Sequence, residues 1–207
     1  MERTFHCFQC GQPHAVETWP SINVAQDPDL KGRVRDGSLF VWECPHCGAR
    51  NLAKYQTLYH DPAERLMVWL LPDGQEPPAA VAEAVQELDG YTLRRVRDVG
   101  ALVEKVLIHD AGLEDTILEM CKHVTRMELA DQHPNPALLD VPMRFYRLEG
   151  ADHEITLSFP LDGQMQVVNI GFNVYEDARG ILSRNPSVQP APGFAEIDAS
   201  WLRRYFR

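Results

Sequence analysis

The feature that most constrains this chain is a pair of matching cysteine turns. Cys7-Phe8-Gln9-Cys10-Gly11 and Cys44-Pro45-His46-Cys47-Gly48 each place two thiols two residues apart, followed by glycine. That spacing lets both sulfurs of a turn reach one point about 2.3 Å away. The glycine accommodates the left-handed backbone that closes such a turn. Two turns supply four thiolates, which complete a tetrahedral sphere and leave no position for a catalytic water. Soft thiolate donors select zinc or iron over hard cations. The sequence therefore predicts one closed metal site at Cys7, Cys10, Cys44 and Cys47, with structural zinc expected and iron as the alternative occupant. A single cysteine pair would be a weak signal; two pairs with glycine in register are a specific one.

The bulk properties set the context. The chain has 207 residues, 44% hydrophobic and 24% charged, which is ordinary globular composition. Its longest strongly apolar run, Leu66-Met67-Val68-Trp69-Leu70-Leu71, is far shorter than the about 20 residues that cross a bilayer. The N-terminus shows no apolar signal-peptide stretch. The expectation is a cytoplasmic protein with no membrane segment, where paired cysteines serve metal chemistry rather than disulfides.

The net charge of −10 is unevenly spread. Residues 1–60 hold six acids and six bases, whereas residues 61–138 hold fifteen acids and seven bases, a net −8. An acidic middle repels phosphate backbones, so the expected partner is a protein rather than a nucleic acid.

Along the chain, the pattern predicts strands on both sides of the first cysteine turn and a short helix from Asp27-Pro28, capped by Asp27 and ended by Gly37. It predicts strands over 38–43, 52–58 and 65–71. A helix is expected from Pro77-Pro78, with Val81, Ala84, Val85 and Leu88 on one face and Gly90 at its end. A strand over 91–97, a helix over 101–108 and a longer helix over 113–128 follow. In the last, Leu113, Ile117, Met120, Val124 and Met127 stack on one side. Beyond His133-Pro134-Asn135-Pro136, strands are expected over 143–148, 153–159 and 165–172, the last two joined by an Asp162-Gly163 hairpin turn. A terminal helix is capped by Asp198 and carries Trp201, Leu202, Tyr205 and Phe206.

Several of these segments together resemble one family. They are Trp19-Pro20-Ser21-Ile22-Asn23-Val24, Asp27-Pro28-Asp29-Leu30, and Asp36-Gly37-Ser38-Leu39-Phe40 leading into Cys44-Pro45-His46-Cys47. Leu58-Tyr59-His60-Asp61, Met67-Val68-Trp69-Leu70, Val106-Leu107-Ile108-His109-Asp110 and Gly112-Leu113-Glu114-Asp115 extend the set. Over roughly Phe5 to Met127 the chain resembles the CpXC-domain proteins, a bacterial and archaeal family. The resemblance implies a ribbon-like metal-binding module and brings no activity with it. Phe8 stands where the family's first turn would carry proline.

Other candidates are weighed against blander readings. Cys121 falls beside the apolar face of the 113–128 helix and reads as a core thiol. His60-Asp61 and His109-Asp110 could together form a hydrolase metal site, but neither pair has a further histidine at helical spacing. His46, inside the second turn, and His6 and His14, near the first, could line the surroundings of the metal or its surface; the blander reading, exposed polar residues, is preferred. The aromatic side chains Trp19, Phe40, Trp42, Tyr55, Tyr59 and Trp69 read as core filling.

The expected fold is α+β: a zinc-ribbon-like N-terminal module elaborated by a short helix, packed on a mixed helical and antiparallel β region. The expected division is a ribbon module over 1–75, a helical and mixed region over 76–132 that completes it, and a C-terminal hairpin and terminal-helix lobe over 140–207. The function expected is a noncatalytic zinc-binding interaction module. The alternatives are a rubredoxin-like iron electron carrier and a metal-dependent hydrolase with its site outside the ribbon.

Overall fold

Short strands, several only three to five residues long, dominate the first hundred residues, and their pairing determines the architecture. The computed structural model of the chain describes residues 1–72, 88–133, 135–150 and 153–206. It is α+β, and it divides into two compact units: residues 1–106 with 192–195, and residues 107–191 with 196–207. The helix expected from Pro77-Pro78 lies outside the described residues.

The first unit contains two small hairpins and one sheet. Strands β1 (Glu2–His6) and β2 (Pro13–Glu17) form the first hairpin, and β4 (Val41–Glu43) and β5 (Arg50–Leu52) the second. The sheet has the order β3-β6-β7-β8, from β3 (Ser21–Asn23), β6 (Thr57–Asp61), β7 (Leu66–Leu70) and β8 (Thr92–Val96). It is mixed. The β6–β7 pair is antiparallel, while β3 runs parallel to β6 and β8 parallel to β7. Ile22, Tyr59, Val68, Leu70, Leu102 and Val106 are fully buried in one apolar cluster. A late segment returns to the β8 side, where Arg95 N–H donates to the Ala195 carbonyl at 2.9 Å and Phe194 packs edge-on against Trp69.

Two strand expectations for this unit are corrected. Residues 38–43 do not form one strand: Ser38–Phe40 is a 3-10 turn, and only Val41–Glu43 is extended. Gly37 adopts φ 74°, and Ser38 N–H donates to Asp36 Oδ1, so the chain coils there. The coil sends both Leu39 and Phe40 inward, whereas a strand would put neighbours on opposite faces. Likewise 52–58 splits between β5 and β6. The helix α1 (Pro28–Arg35) begins with proline, as expected, but Asp27 makes no side-chain cap bond.

Alternation along β6 buries Thr57, Tyr59 and Asp61 and leaves Leu58 and His60 half-buried. Asp61 is tied down by Lys31 Nζ at 2.8 Å and by the Glu64 backbone N–H at 3.2 Å. Burial alone would raise the Asp61 pKa, but these donors outweigh it and hold the carboxyl below its usual range.

Helix α2 (Val99–Asp110) starts in the first unit and ends in the second. The second unit contains α3 (Asp115–Gln132), the 3-10 turn Pro136–Leu139, a three-stranded antiparallel sheet, α4 (Phe172–Ser183) and the short α5 (Ala199–Leu202). The sheet order is β11-β10-β9, from β9 (Arg144–Glu149), β10 (Glu154–Leu161) and β11 (Gln164–Ile170). Asp162 (φ 51°) and Gly163 (φ 75°) both take the left-handed region, which is the tight hairpin turn the Asp-Gly pair predicted. Asp198 caps α5 through Trp201 N–H at 2.8 Å, again as expected.

Helix α3 differs from its predicted face. Ile117 and Met120 are buried, but Met127 is 51% exposed, and Leu118, Glu119, Cys121, Lys122, Thr125 and Arg126 are buried instead. An ionic stripe explains this. Lys122 Nζ lies 2.5 Å and Arg126 Nη2 3.6 Å from the two Glu119 oxygens, and Arg126 Nε donates to the Val141 carbonyl at 3.0 Å. A hydrophobicity pattern counts those residues as polar and rotates the buried face away from them. Helix α4 was not expected at all. Tyr175 is fully buried, and its hydroxyl accepts the Glu114 N–H at 2.8 Å near the start of α3. Cys121 has no exposed surface and contacts the Val174 carbonyl; burial pushes its thiol up to about 12, so it is an inert core group.

Two predictions follow from these buried charges. Asp61 has a folded pKa below its unfolded one, so its stabilisation is present above about pH 4 and disappears as pH falls through the folded value. Asp61→Asn should cost about 1–3 kcal/mol at neutral pH. In urea denaturation across pH, the gap to the wild type should close toward pH 3. Glu119→Gln leaves two buried cations with less compensation, and an unfolding experiment should read a loss of about 3–5 kcal/mol.

Candidate metal centre

Both cysteine turns sit at hairpin tips, and their backbones are superimposable in hydrogen bonding. In the first hairpin, Cys7 N–H donates to the Gln12 carbonyl at 3.0 Å and Gly11 N–H to the Cys7 carbonyl at 2.9 Å. In the second, Cys44 N–H donates to the Ala49 carbonyl at 2.8 Å and Gly48 N–H to the Cys44 carbonyl at 2.8 Å. Gly11 and Gly48 take φ 71° and 72°, so at both positions a side chain would be strained. The glycine in each motif is thus explained by backbone conformation.

The two tips meet. Cys7 Sγ lies 3.6 Å from Cys47 Sγ, and Cys10 Sγ 3.6 Å from Cys44 Sγ. All four sulfurs lie within 4.8 Å of one another. Metal–sulfur bonds of about 2.3 Å in a tetrahedron require sulfurs about 3.8 Å apart, whereas a disulfide requires about 2.05 Å. The spacing fits four thiolates around one ion, and the donor set fits a soft or borderline metal. Among the described residues, no other cluster of three or more His, Cys, Asp or Glu ligand atoms forms.

Each hairpin also sends one polar side chain to the other's cysteine turn. Asn51, on β5, donates through Nδ2 to Cys7 Sγ at 3.6 Å and to the Ala49 carbonyl at 2.8 Å. Its Oδ1 accepts the Phe8 N–H at 2.9 Å. His14, on β2, places Nε2 3.3 Å from Cys44 Sγ, where a protonated Nε2 donates N–H···S. Its ring rests against Trp42, with centroids 5.6 Å apart. Sequence reasoning missed Asn51, and of its two readings for His14, beside the metal ligands or exposed at the surface, it preferred the second. The signal available was register: Asn51 opposes Trp42 on the inward face of β4–β5, while Val41 and Leu52 pair on the outward face. His6 and His46 are exposed, as expected.

The site is asymmetric in exposure and in acidity. Cys7 and Cys44 are buried, Cys10 is half-buried and Cys47 is exposed. Burial opposes ionisation of Cys7, but the Cys10 and Gln9 backbone N–H groups and the Asn51 amide outweigh it and bring the thiol down to about 6. Cys47 accepts the Ala49 N–H, yet burial and its three sulfur neighbours push it up to about 12. Four sulfurs this close cannot all ionise without a cation among them.

The His-Asp pairs lack this convergence. Asp61 is engaged by Lys31, while His60 contacts the Tyr91 hydroxyl through Nε2 at 3.2 Å. Burial depresses the His60 pKa despite the neighbouring Asp61 charge. His109 ends helix α2 in the other unit. Among the described residues, no third ligand joins either pair.

No curated protein and no solved structure matches the chain. A family model described as CpXC protein matches residues 5–122, which takes in both cysteine turns, the β3-β6-β7-β8 sheet and the first eight residues of α3. That is more than half of the chain and includes all four clustered cysteines, and the chain belongs to the CpXC family.

Proposed function

We propose that the first unit is a noncatalytic binding module, folded around one structural zinc ion held by Cys7, Cys10, Cys44 and Cys47. The observation that carries this reading is the convergence of four sulfurs from two separate hairpins, with every tetrahedral position filled by protein. A two-stranded hairpin is marginal on its own in water, and β4–β5 has only three residues per strand. Metal binding becomes folding free energy in such a module. A filled sphere supports a scaffold role over catalysis, because no site remains for water or substrate.

The binding face we assign is the outer side of β4–β5 with the first cysteine turn. Phe8 is 77% exposed, and Val41 and Leu52 form an exposed cross-strand apolar pair. The bond from Phe8 N–H to Asn51 holds the Phe8 backbone beside the residue that precedes Leu52. Neutral apolar side chains on a chain of net charge −10 favour a protein partner over a phosphate backbone. Tight, salt-dependent binding of duplex DNA or of RNA by the purified chain would overturn that choice.

Elemental analysis and an absorption spectrum test the metal assignment. Untagged protein purified without added metal should carry about one zinc per chain and be colourless. Iron with visible charge-transfer bands that a reductant bleaches would replace the structural reading with electron transfer. Cys44→Ser should lose the ion and melt both hairpins; an unchanged metal content and melting curve would refute the scaffold role. Asn51→Ala leaves all four thiols in place and should weaken metal retention about 10–100-fold, measured as transfer to a competing chelator.

A further inference from the structure

The two edges of the β9-β10-β11 sheet are built differently. Strand β9 carries Arg144, Arg147 and Glu149, with Arg147 and Glu149 paired at 3.1 Å, and its pairing with β10 contains a register shift at Thr156/Leu157. Charges and irregular pairing are the usual protections of a sheet edge. Strand β11 has neither. Its sequence, Gln164-Met165-Gln166-Val167-Val168-Asn169-Ile170, holds no charge and no proline, and it pairs with β10 without interruption over seven residues. Met165 and Val167 are 66% and 64% exposed. Among the described residues, β10 is its one strand neighbour.

The hairpin turn fixes which backbone groups face outward. With a two-residue Asp162-Gly163 turn, Leu161 and Gln164 form a hydrogen-bonded pair, and the pattern alternates along the strand. Gln164, Gln166, Val168 and Ile170 therefore spend their N–H and C=O groups on β10. Met165, Val167 and Asn169 direct theirs to the open edge.

We infer that β11 pairs antiparallel with β11 of a second copy of this chain, making one six-stranded sheet across a twofold axis at Val167. In that register Val167 faces Val167 of the second copy, and Met165 faces Asn169 of the second copy, which satisfies all three outward-facing residues on each strand. A twofold contact of this kind is self-complementary and closes. Like-charged chains repel, and β11 carries no charge of its own to add to that; what selects a second copy over another extended segment is the complement at the ends of the strand. The same register also brings Asp162 level with Phe172 of the second copy, the first residue of α4. That helix has no side-chain cap bond at Gly171 and no acid in its first turn. An exposed carboxylate arriving there complements the helix dipole, and symmetry makes the contact twice.

Analytical ultracentrifugation of the full chain over a wide concentration range tests this. The wild type should reach twice the 23.5 kDa chain mass. Val167→Lys and Val167→Glu, at a solvent-exposed position, should each remain folded by circular dichroism and sediment as monomers, because like charges then oppose across the axis. An equimolar mixture of the two variants should restore the dimer, since lysine then faces glutamate. Asp162→Asn should weaken the wild-type dimer severalfold. A wild type that stays monomeric throughout, a dimer indifferent to both Val167 variants, or a mixture that stays monomeric would each overturn the inference.

Discussion

The first unit depends on a mutual constraint: neither hairpin can hold its cysteine turn in place without the other. Strands of three to five residues bury little surface between them, and a free hairpin of that size frays. Convergence of the sulfurs ties the tips, and the exchanged side chains tie the flanks. Asn51 bonds a sulfur, a carbonyl of its own turn and an N–H of the opposite turn. Replacing it would unpair groups on both hairpins at once. His14 does the reciprocal service for Cys44 while packing on Trp42. Below the hairpins, the 3-10 turn at Ser38–Phe40 sends Leu39 and Phe40 into the core. The buried Cys44 and the buried Phe40 are thus only four positions apart along the chain.

The cysteine site was legible because its chemistry is local. Two sulfurs on one turn and a glycine with positive φ are determined within five residues, so Cys7, Cys10, Cys44, Cys47, Gly11 and Gly48 could be read directly. Asn51 and His14 act across the gap between hairpins, and their roles depend on strand register, which a single sequence specifies weakly. The 38–43 segment misled for a different reason. Leu39, Phe40, Val41 and Trp42 have high strand propensity, but the Gly37 conformation and the Asp36 side-chain bond coil the chain before they can extend. Tertiary burial of two adjacent apolar residues then overrides propensity.

In the second unit the misreadings share one cause, which is that burial there does not follow hydrophobicity. Helix α3 buries Glu119, Lys122 and Arg126 along with Ile117 and Leu118, and it leaves Met127 in solvent. Ion pairing of both cations with Glu119 makes that tolerable, and no periodicity of apolar residues can display it. Helix α4 was hidden by composition. Val174, Tyr175 and Gly180 are poor helix residues, yet Tyr175 and Ala178 lie three apart and are both buried, the spacing of a helical face. The strand expected to run to Phe172 ends at Ile170 because Gly171 occupies the helix N-cap position.

Charge distribution links the metal site to the rest of the chain. A divalent ion in four thiolates carries a net −2, and a chain of net charge −10 is poor surroundings for more negative charge. Residues 1–60, which contain all four clustered cysteines, balance six acids with six bases. The acidic excess begins only after them, over 61–138. Within the neutral segment, the Asn51 amide and the His14 ring, a donor when Nε2 carries the proton, fall on the two buried sulfurs, where water cannot disperse charge. Cys10 and Cys47 lie nearer solvent, which can solvate them directly. Donors are therefore placed where solvation is missing.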